Sequence, residues 1–453
     1  MSDMAGKRQY IPASEFCVSV RDGTHDSPKP VGQGRRLVTS RHIIGGRLEL
    51  SEAYLISDED FEAINKRSKV DRWDVLISMI GTVGEPCLIK DEPDFAIKNI
   101  GLFKTKSETD GRWLYYYLRG QEAQQSIREQ SRGSTQQYIP LGALRELPIL
   151  VPDDPEEQKA IVAVLGALDD KIESNRRTSR MLERMARAIF RSWFVDFEPV
   201  QAKAAGARSF PSMPQEVFDT LPTSFVESEL GPMPIGWGVG CIGDTVSVHG
   251  GGTPSTKVEE YWEGGTHYWL TPKDLSGMKH PILLSTARKI TDKGLDKISS
   301  GLLPVGTVLL SSRAPVGYLV LSGVPTAINQ GFIAMVCDGV LPPLYVFHWT
   351  QSVMDEIKSR ASGTTFPEIS KTAFRPIKVC VPTKPILESF TAAVEPLFEK
   401  LAANIRESQS LEKLRDYLLP KLLSGEVCVQ VGPLPTPAPD KSETPSNKGA
   451  DNV

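Results

Sequence analysis

Asp153, Glu157 and Lys159, within Pro152-Asp153-Asp154-Pro155-Glu156-Glu157-Gln158-Lys159, have the residue types of a metal-dependent nuclease. That chemistry needs carboxylates and a lysine converging on one divalent ion. The order fits a helix start better, with Asp154 as N-cap, Pro155 at the first helical position and acids facing the positive end of the dipole. A matching segment, Pro382 to Glu388, has Thr383 and Leu387 where the acids stand. Gly236-Trp237-Gly238-Val239-Gly240 imitates a glycine-rich cofactor loop, but it follows a Pro-rich stretch instead of a strand. No Asn-Pro-Pro-aromatic tetrad, GxxxxGK loop or HExxH is present. The six cysteines (Cys17, Cys87, Cys241, Cys337, Cys380, Cys428) have no ligand spacing and suit a reducing cytosol. His25 in DGTHDSP reads as a loop hydrogen-bonding residue. Read from these residues, capping and packing account for the candidate catalytic, metal and cofactor segments better than chemistry does.

A second chemistry is better represented. Arg, Lys, Asn, Gln, Ser and Thr read base edges in the DNA major groove, and such residues recur here in corresponding loops of an internal repeat. Thr39, Ser40, Arg41 and His42 correspond to Thr271, Pro272, Lys273 and Asp274. Lys98 and Asn99 correspond to Asn329 and Gln330, and the loop holding Arg132, Ser134, Thr135 and Gln136 corresponds to the one holding Thr364 and Thr365. Arg313 adds a cation beside a strand end. Polar loops are usually just solvated, so the pairing is what singles these residues out. Formal net charge is -4, so any contact with DNA must come from local basic patches and not from a bulk field.

The elements that must carry these loops also come twice, about 230 positions apart. WDVLISMIGTVGEPCLI from Trp73 meets GTVLLSSRAPVGYLVL from Gly306, and SRGSTQQYIPLGALRELPILVP ending at Pro152 meets RASGTTFPEISKTAFRPIKVCVP ending at Pro382. Short β-branched and aromatic runs, with helix-like stretches over 110–129 and 342–360, predict two mixed α/β domains, 1–153 and 235–383. Each runs into a heptad-patterned helix, 154–199 and 384–427. The first seam is Ile161, Leu165, Leu168, Ile172, Asn175, Ser179, Leu182, Ala186, Ile189 and Trp193. The second is Phe390, Val394, Leu397, Leu401, Asn404, Ser408, Leu411, Arg415, Leu418 and Leu422. Ten successive heptad positions favour a two-helix coiled coil over helices packed each on its own domain, and the connectivity, with the first helix leading toward the second domain and the second helix returning, suggests that it is antiparallel. Aligned at their centres, the seams put Asn175 opposite Ser408 and Ser179 opposite Asn404, polar pairs that would fix register. The rod would span about 48 Å over 161–193, against about 34 to 36 Å between same-face sites on B-DNA. It could therefore hold two reading domains over a split target with an unread spacer. Residues 200–234 read as a surface linker and 428–453 as a disordered tail. Trp193, Phe194 and Phe197, with Leu418 and Leu422 in the second copy, either pack on the adjacent domain or anchor partner helices. No run of 18 apolar residues exists and MSDMAGKRQY lacks a signal-peptide core, so a cytoplasmic protein without membrane contact is expected.

SWFVDFEPV from Ser192, LRDYLLPKLLSGEV from Leu414, GGTPST from Gly251 followed by YWLTPKDL from Tyr268, and DGTHDSP from Asp22 together resemble the specificity subunit of type I restriction-modification systems. The resemblance implies two target-recognition domains separated by coiled-coil helices, binding double-stranded DNA at a split sequence. It also implies that this chain has no catalytic site or cofactor of its own and assembles with modification (methyltransferase) and restriction subunits, which would hold S-adenosylmethionine, ATP and Mg. The two aromatic and leucine-rich helix ends imply two copies of the modification subunit. The other readings are a stand-alone regulator of a bipartite operator and a nuclease using the Asp153 to Lys159 segment.

Overall fold

The computed structural model describes residues 7–429 apart from Thr364 and Phe366. Among the described residues two compact units result, one running to Lys171 and resuming from Ser410, the other of Ile172–Gln409. Each is built on the same sheet plan. In the first unit the strand Ile100–Lys104 lies antiparallel between Ser19–Asp22 and Val75–Ser78, and the latter pairs with Pro86–Leu88. In the second, Phe332–Val336 lies between Ser247–Gly250 and Val308–Ser311, and the latter pairs with Leu319–Ser322. A smaller sheet in each holds a parallel pair, Arg35–Thr39 with Phe95–Lys98 and His267–Leu270 with Thr326–Ile328. A two-stranded ribbon joins the ends of each repeat, Arg8–Pro12 with Pro148–Pro152 and Gly238–Cys241 with Lys378–Val381. Val75-Leu76-Ile77 and Val308-Leu309-Leu310 are wholly buried, as continuous apolar strands covered on both faces must be. Trp73 and Gly306, equivalent in the repeat, both take left-handed backbone (φ 71° and 85°) at the entry to these strands. The two helix-like stretches are each broken, into Glu108–Arg119 and Gln121–Gln130, and into Pro343–Ser352 and Met354–Ser359.

The heptad helices are Pro155–Phe194 and Lys384–Ser424, and all their twenty seam positions are buried or half-buried. They pair antiparallel. In the first unit Ile161, Val162 and Leu165 share a core with Leu419, Leu422 and Leu423. In the second, Ala186, Phe190, Trp193 and Phe194 share one with Phe390, Val394 and Phe398. At the polar positions Asn404 Nδ2 reaches Ser179 Oγ at 3.4 Å, whereas Asn175 donates to Glu407 Oε2 at 2.8 Å, one residue short of Ser408. The seam residue Arg415 is neutralised by Asp169 at 2.7 Å, and Asp169 also accepts from the Tyr116 hydroxyl at 3.0 Å. The equivalent positions of the second unit are Ala186, Phe398 and His348. There the imidazole lies 5.7 Å from the rings of both Phe190 and Phe398, and burial pushes its pKa down to about 4.

One expectation changes and one open alternative narrows. Residues 200–234 form helices Glu198–Ala204 and Gln215–Thr220 and the hairpin Phe225–Ser228 with Gly231–Pro234, because Val200, Met213, Phe218, Leu221 and Met233 have a core to enter. Trp193, Phe194 and Leu422 are 1 %, 5 % and 2 % exposed, and Leu418 packs against the first unit's core while Phe197 stacks on Phe225 and Trp237. These five therefore pack on the units' own cores, which is the first of the two readings the sequence left open, with Phe197 and Leu418 half-buried. Of the expected tail, residues 430–453 lie outside the described residues.

Asp169→Ala would leave the Arg415 guanidinium buried beside one exposed carboxylate and the Tyr116 hydroxyl without its acceptor. A loss of about 2 to 4 kcal/mol in urea unfolding is expected, largely recovered when Arg415→Met is added. His348 gives a pH dependence of opposite origin. Its imidazole protonates near 6.5 in the unfolded chain but only near about 4 in the fold, so unfolding takes up a proton between those values. Its contribution is intact above 6.5 and is lost, by roughly 3 kcal/mol, as pH falls toward 4. His348→Phe should flatten that part of the stability profile.

Candidate nucleic-acid interface

Each repeat carries the same loop scaffold. After the first strand of the smaller sheet comes a short turn closed by a capping box. In the first copy the Thr39 N–H donates to His42 Nδ1 at 2.9 Å. In the second, the N–H and hydroxyl of Thr271 donate to Asp274 Oδ2 at 2.8 and 2.6 Å, and Asp274 Oδ1 accepts the Ala287 N–H at 2.8 Å. Thr39, His42, Thr271 and Asp274 thus spend polar atoms within the capping boxes, although Thr39 and Thr271 still line the clefts described below. His42 is buried, and burial lowers its pKa, so it is a neutral acceptor. Ser40 is also structural, donating to the Asn99 carbonyl at 2.9 Å and accepting the Met79 N–H at 3.3 Å. Between the capping residues, Arg41 and Lys273 occupy one equivalent position and both are exposed.

A second shared turn follows the buried strands. Ser78 donates to the Thr82 carbonyl and accepts the Glu85 N–H at 2.9 Å, while Ser311 donates to the Pro315 carbonyl at 2.7 Å and accepts the Tyr318 N–H at 2.8 Å. A third loop seals this turn from outside. Ile139 N–H bonds to the Met79 carbonyl and Ile369 N–H to the Ser312 carbonyl, both at 3.0 Å. Tyr138 then bridges to Ile80, and Glu368 to Arg313. Gly133 and Gly363 (φ 96° and 107°) turn these loops.

The fourth loop holds the amides. His25 joins Asp22 at 3.0 Å to Asn99 Oδ1 at 2.8 Å, fixing a residue whose backbone is left-handed (φ 54°). In the second copy the Thr253 hydroxyl contacts Gln330 Oε1 instead. The loop can approach this closely only through glycine. A Cβ on Gly23 would lie 2.4 Å from the Ile97 carbonyl oxygen, and one on Gly251 2.0 Å from that of Ile328.

These loops enclose one open cleft per copy. The first is lined by Arg41, Ile44, Ile80, Thr82, Asn99 and Gln136, the second by Lys273, Ser276, Arg313, Tyr318 and Asn329. Lys98 is turned to the Ser27 hydroxyl, and Arg132, Ser134, Thr135, Gln330 and Thr365 are exposed outside the cleft linings. Thr364 lies outside the described residues. Ile44, Ile80 and Tyr318 escape a reading that admits only polar side chains as base readers. The internal repeat carries the signal for one of them, since it sets Ile80 beneath Arg313.

The clefts offer cations, amides, hydroxyls and apolar edges, the means of recognising a nucleic-acid surface. Of the candidate nuclease residues, Glu157 is paired with Arg8 at 2.7 Å and Lys159 with Glu156 at 3.7 Å, while the neighbouring Asp154 Oδ1 caps the helix through the Glu156 N–H at 2.9 Å. Burial pushes the Cys17, Cys87, Cys337 and Cys380 thiols up to about 12, which makes them inert packing groups. Among the described residues no helix is long and apolar enough to cross a membrane.

Residues 44–184 and 234–412 match the family described as type I restriction modification DNA specificity domain. The MjaIX specificity subunit of a type I restriction enzyme from Methanocaldococcus jannaschii is 36 % identical over 195 residues, covering 42 % of this chain and 45 % of that protein. The HindI specificity subunit from Haemophilus influenzae is 27 % identical over 339 residues, covering 66 % of this chain and 73 % of that one. In fold, the chain is similar to the crystal structure of a type I restriction-modification S subunit from M. genitalium, with a TM-score of 0.59 at 16 % identity over 93 % of this chain and 97 % of the other.

Asp274→Ala should cost about 1 to 2 kcal/mol by losing the capping box. Lys273→Ala, one residue away, should stay within about 0.5 kcal/mol of the parent. Paired chemical denaturation of the two variants separates scaffold from reading position.

Proposed function

The chain belongs to the type I restriction-modification DNA specificity family, and we propose that it is the non-catalytic subunit that reads a split double-stranded DNA target for such a complex. The observation that carries this reading is the pair of equivalent clefts, one per repeat, each with a cation from the capping-box turn (Arg41, Lys273) beside an amide (Asn99, Asn329). One scaffold with two different linings suits two unlike half-sites. A single-site reader would need one cleft, and a palindrome reader two identical ones.

In this reading the chain contributes recognition, and its modification and restriction partners contribute methylation and cleavage. S-adenosylmethionine, ATP and Mg belong to those partners, and the complex acts in the cytoplasm. The partner surface moves from the buried helix ends to side chains still exposed on the outer helix faces, Met181 and Met185 in the first helix and Leu414 and Tyr417 in the second. Met185 and Leu414 are equivalent in the repeat, which favours two copies of the modification subunit.

The test is co-expression with the modification subunit, followed by mapping of methylated adenines in a host that lacks other systems. A split motif methylated only when both chains are present is expected. Arg41→Ala and Lys273→Ala should each weaken binding to that motif by about 1 to 3 kcal/mol where the cation reads a base, or lower the salt dependence by about one ion where it meets a phosphate. Methylation at the same sites by the modification subunit alone would refute the assignment.

A further inference from the structure

The two clefts share their turns but differ at one coupled pair of positions. Ile80 and Arg313 follow equivalent serines, Ser78 and Ser311, in turns with the same hydrogen bonds. Each faces one residue of the sealing loop across an isolated bridge, Tyr138 in the first copy and Glu368 in the second. The exchange is thus concerted, an apolar pair in one copy and a charged pair in the other, with Arg313 Nη1 3.5 Å from Glu368 Oε2. Both pairs stay accessible. Arg313 and Glu368 side chains are 37 % and 46 % exposed, Tyr138 is 43 % exposed, and Ile80 is half-buried in its cleft lining. Core demand does not explain such an exchange, because the backbone bonds on both sides of it are the same.

The chemistry of each pair selects a different base. A guanidinium presents a planar fork that matches the O6 and N7 acceptors of guanine, and an apolar side chain in the same place meets the C5-methyl of thymine. Glu368 holds one nitrogen of the fork and disfavours approach of a phosphate to it, so it acts as a positioning residue. Resting on the reading of the chain as a split-target subunit, we infer that this pair is a specificity switch: Arg313, set by Glu368, specifies a guanine in the half-site of the second copy, and Ile80 with Tyr138 specifies a thymine in the half-site of the first.

Selection from a pool of randomised duplexes with the full chain in complex with its modification subunit tests this. The parent should return two half-sites, one with an invariant guanine and one with a thymine. Arg313→Ile with Glu368→Tyr should exchange that guanine for thymine or leave the position relaxed, and should lower affinity for the parental duplex roughly ten- to hundredfold. The other half-site, read by the same molecule, should be unchanged and so reports that the variant is folded. Ile80→Arg with Tyr138→Glu should do the reverse, installing guanine in the first half-site only. Arg313→Lys keeps the charge without the fork and should lower guanine discrimination about tenfold. A parental split motif that survives all three changes intact overturns the switch and leaves the recognition role standing. A parent that selects no split motif overturns the recognition role itself.

Discussion

Neither repeat can fill its core alone, and this shortage organises the molecule. The first unit is completed by Leu419, Leu422 and Leu423 from the end of the second helix. The second is completed by Ala186, Phe190, Trp193 and Phe194 from the end of the first. Fully burying side chains of this size contributes roughly 1.5 to 3 kcal/mol each, a large share of the margin by which a domain is stable at all. The long helices are therefore core elements over their terminal turns, and the antiparallel pairing follows from each helix having to end inside the opposite repeat. That is also why the aromatic ends are unavailable to partners.

Apolar burial fixes that the helices pair, but it does not distinguish helix one from helix two, because the seams match along most of their length. The distinction comes from the few places where the repeat is broken. Asp169 meets Arg415 and Tyr116 in the first unit, whereas the equivalent positions of the second are Phe398, Ala186 and His348. Pairing two first helices would set Asp169 against Ala186, and pairing two second helices would set Arg415 against Phe398. The first leaves the buried Asp169 carboxylate without a counter-ion, and the second leaves the Arg415 guanidinium only the exposed carboxylate of Asp416, so either is costly. The ion pair thus acts as a label for the correct partner, and the polar contacts of Asn175 with Glu407 and Asn404 with Ser179 set the register between them.

The sequence was most legible where a period imposes itself. The heptad seam identified both helices, the connectivity suggested their antiparallel sense, and the repeat predicted two mixed α/β domains whose strands turned out to pair in the same order. It was least legible where one residue type serves two purposes. Thr39, Thr271 and Asp274 have the chemistry of base readers and the chemistry of caps, and only the position of a helical turn decides between them. Residues 200–234 look like a linker because Pro and Gly interrupt every period, yet Phe218, Met213 and Met233 find a hydrophobic surface that local pattern cannot reveal. Ile80 was invisible for the converse reason, since an isoleucine at the end of an apolar strand looks like core until it is seen half-buried in a cleft lining.

The division between what the copies share and what they vary has a consequence for how such a chain can change. The shared parts of the clefts are those whose replacement disturbs backbone: the capping boxes, the serine-closed turns, and glycines such as Gly23 and Gly251 whose Cβ would strike a carbonyl oxygen. The positions that differ, Arg41 against Lys273 and Ile80 with Tyr138 against Arg313 with Glu368, project from that frame and are at least partly exposed. Exchanges at such positions shift stability by only about half a kcal/mol, whereas discrimination of one base from another is worth about 1 to 3 kcal/mol. A frame of this kind lets recognition drift at almost no cost to folding. Because each copy has its own frame, one half of a target can change while the other is still read.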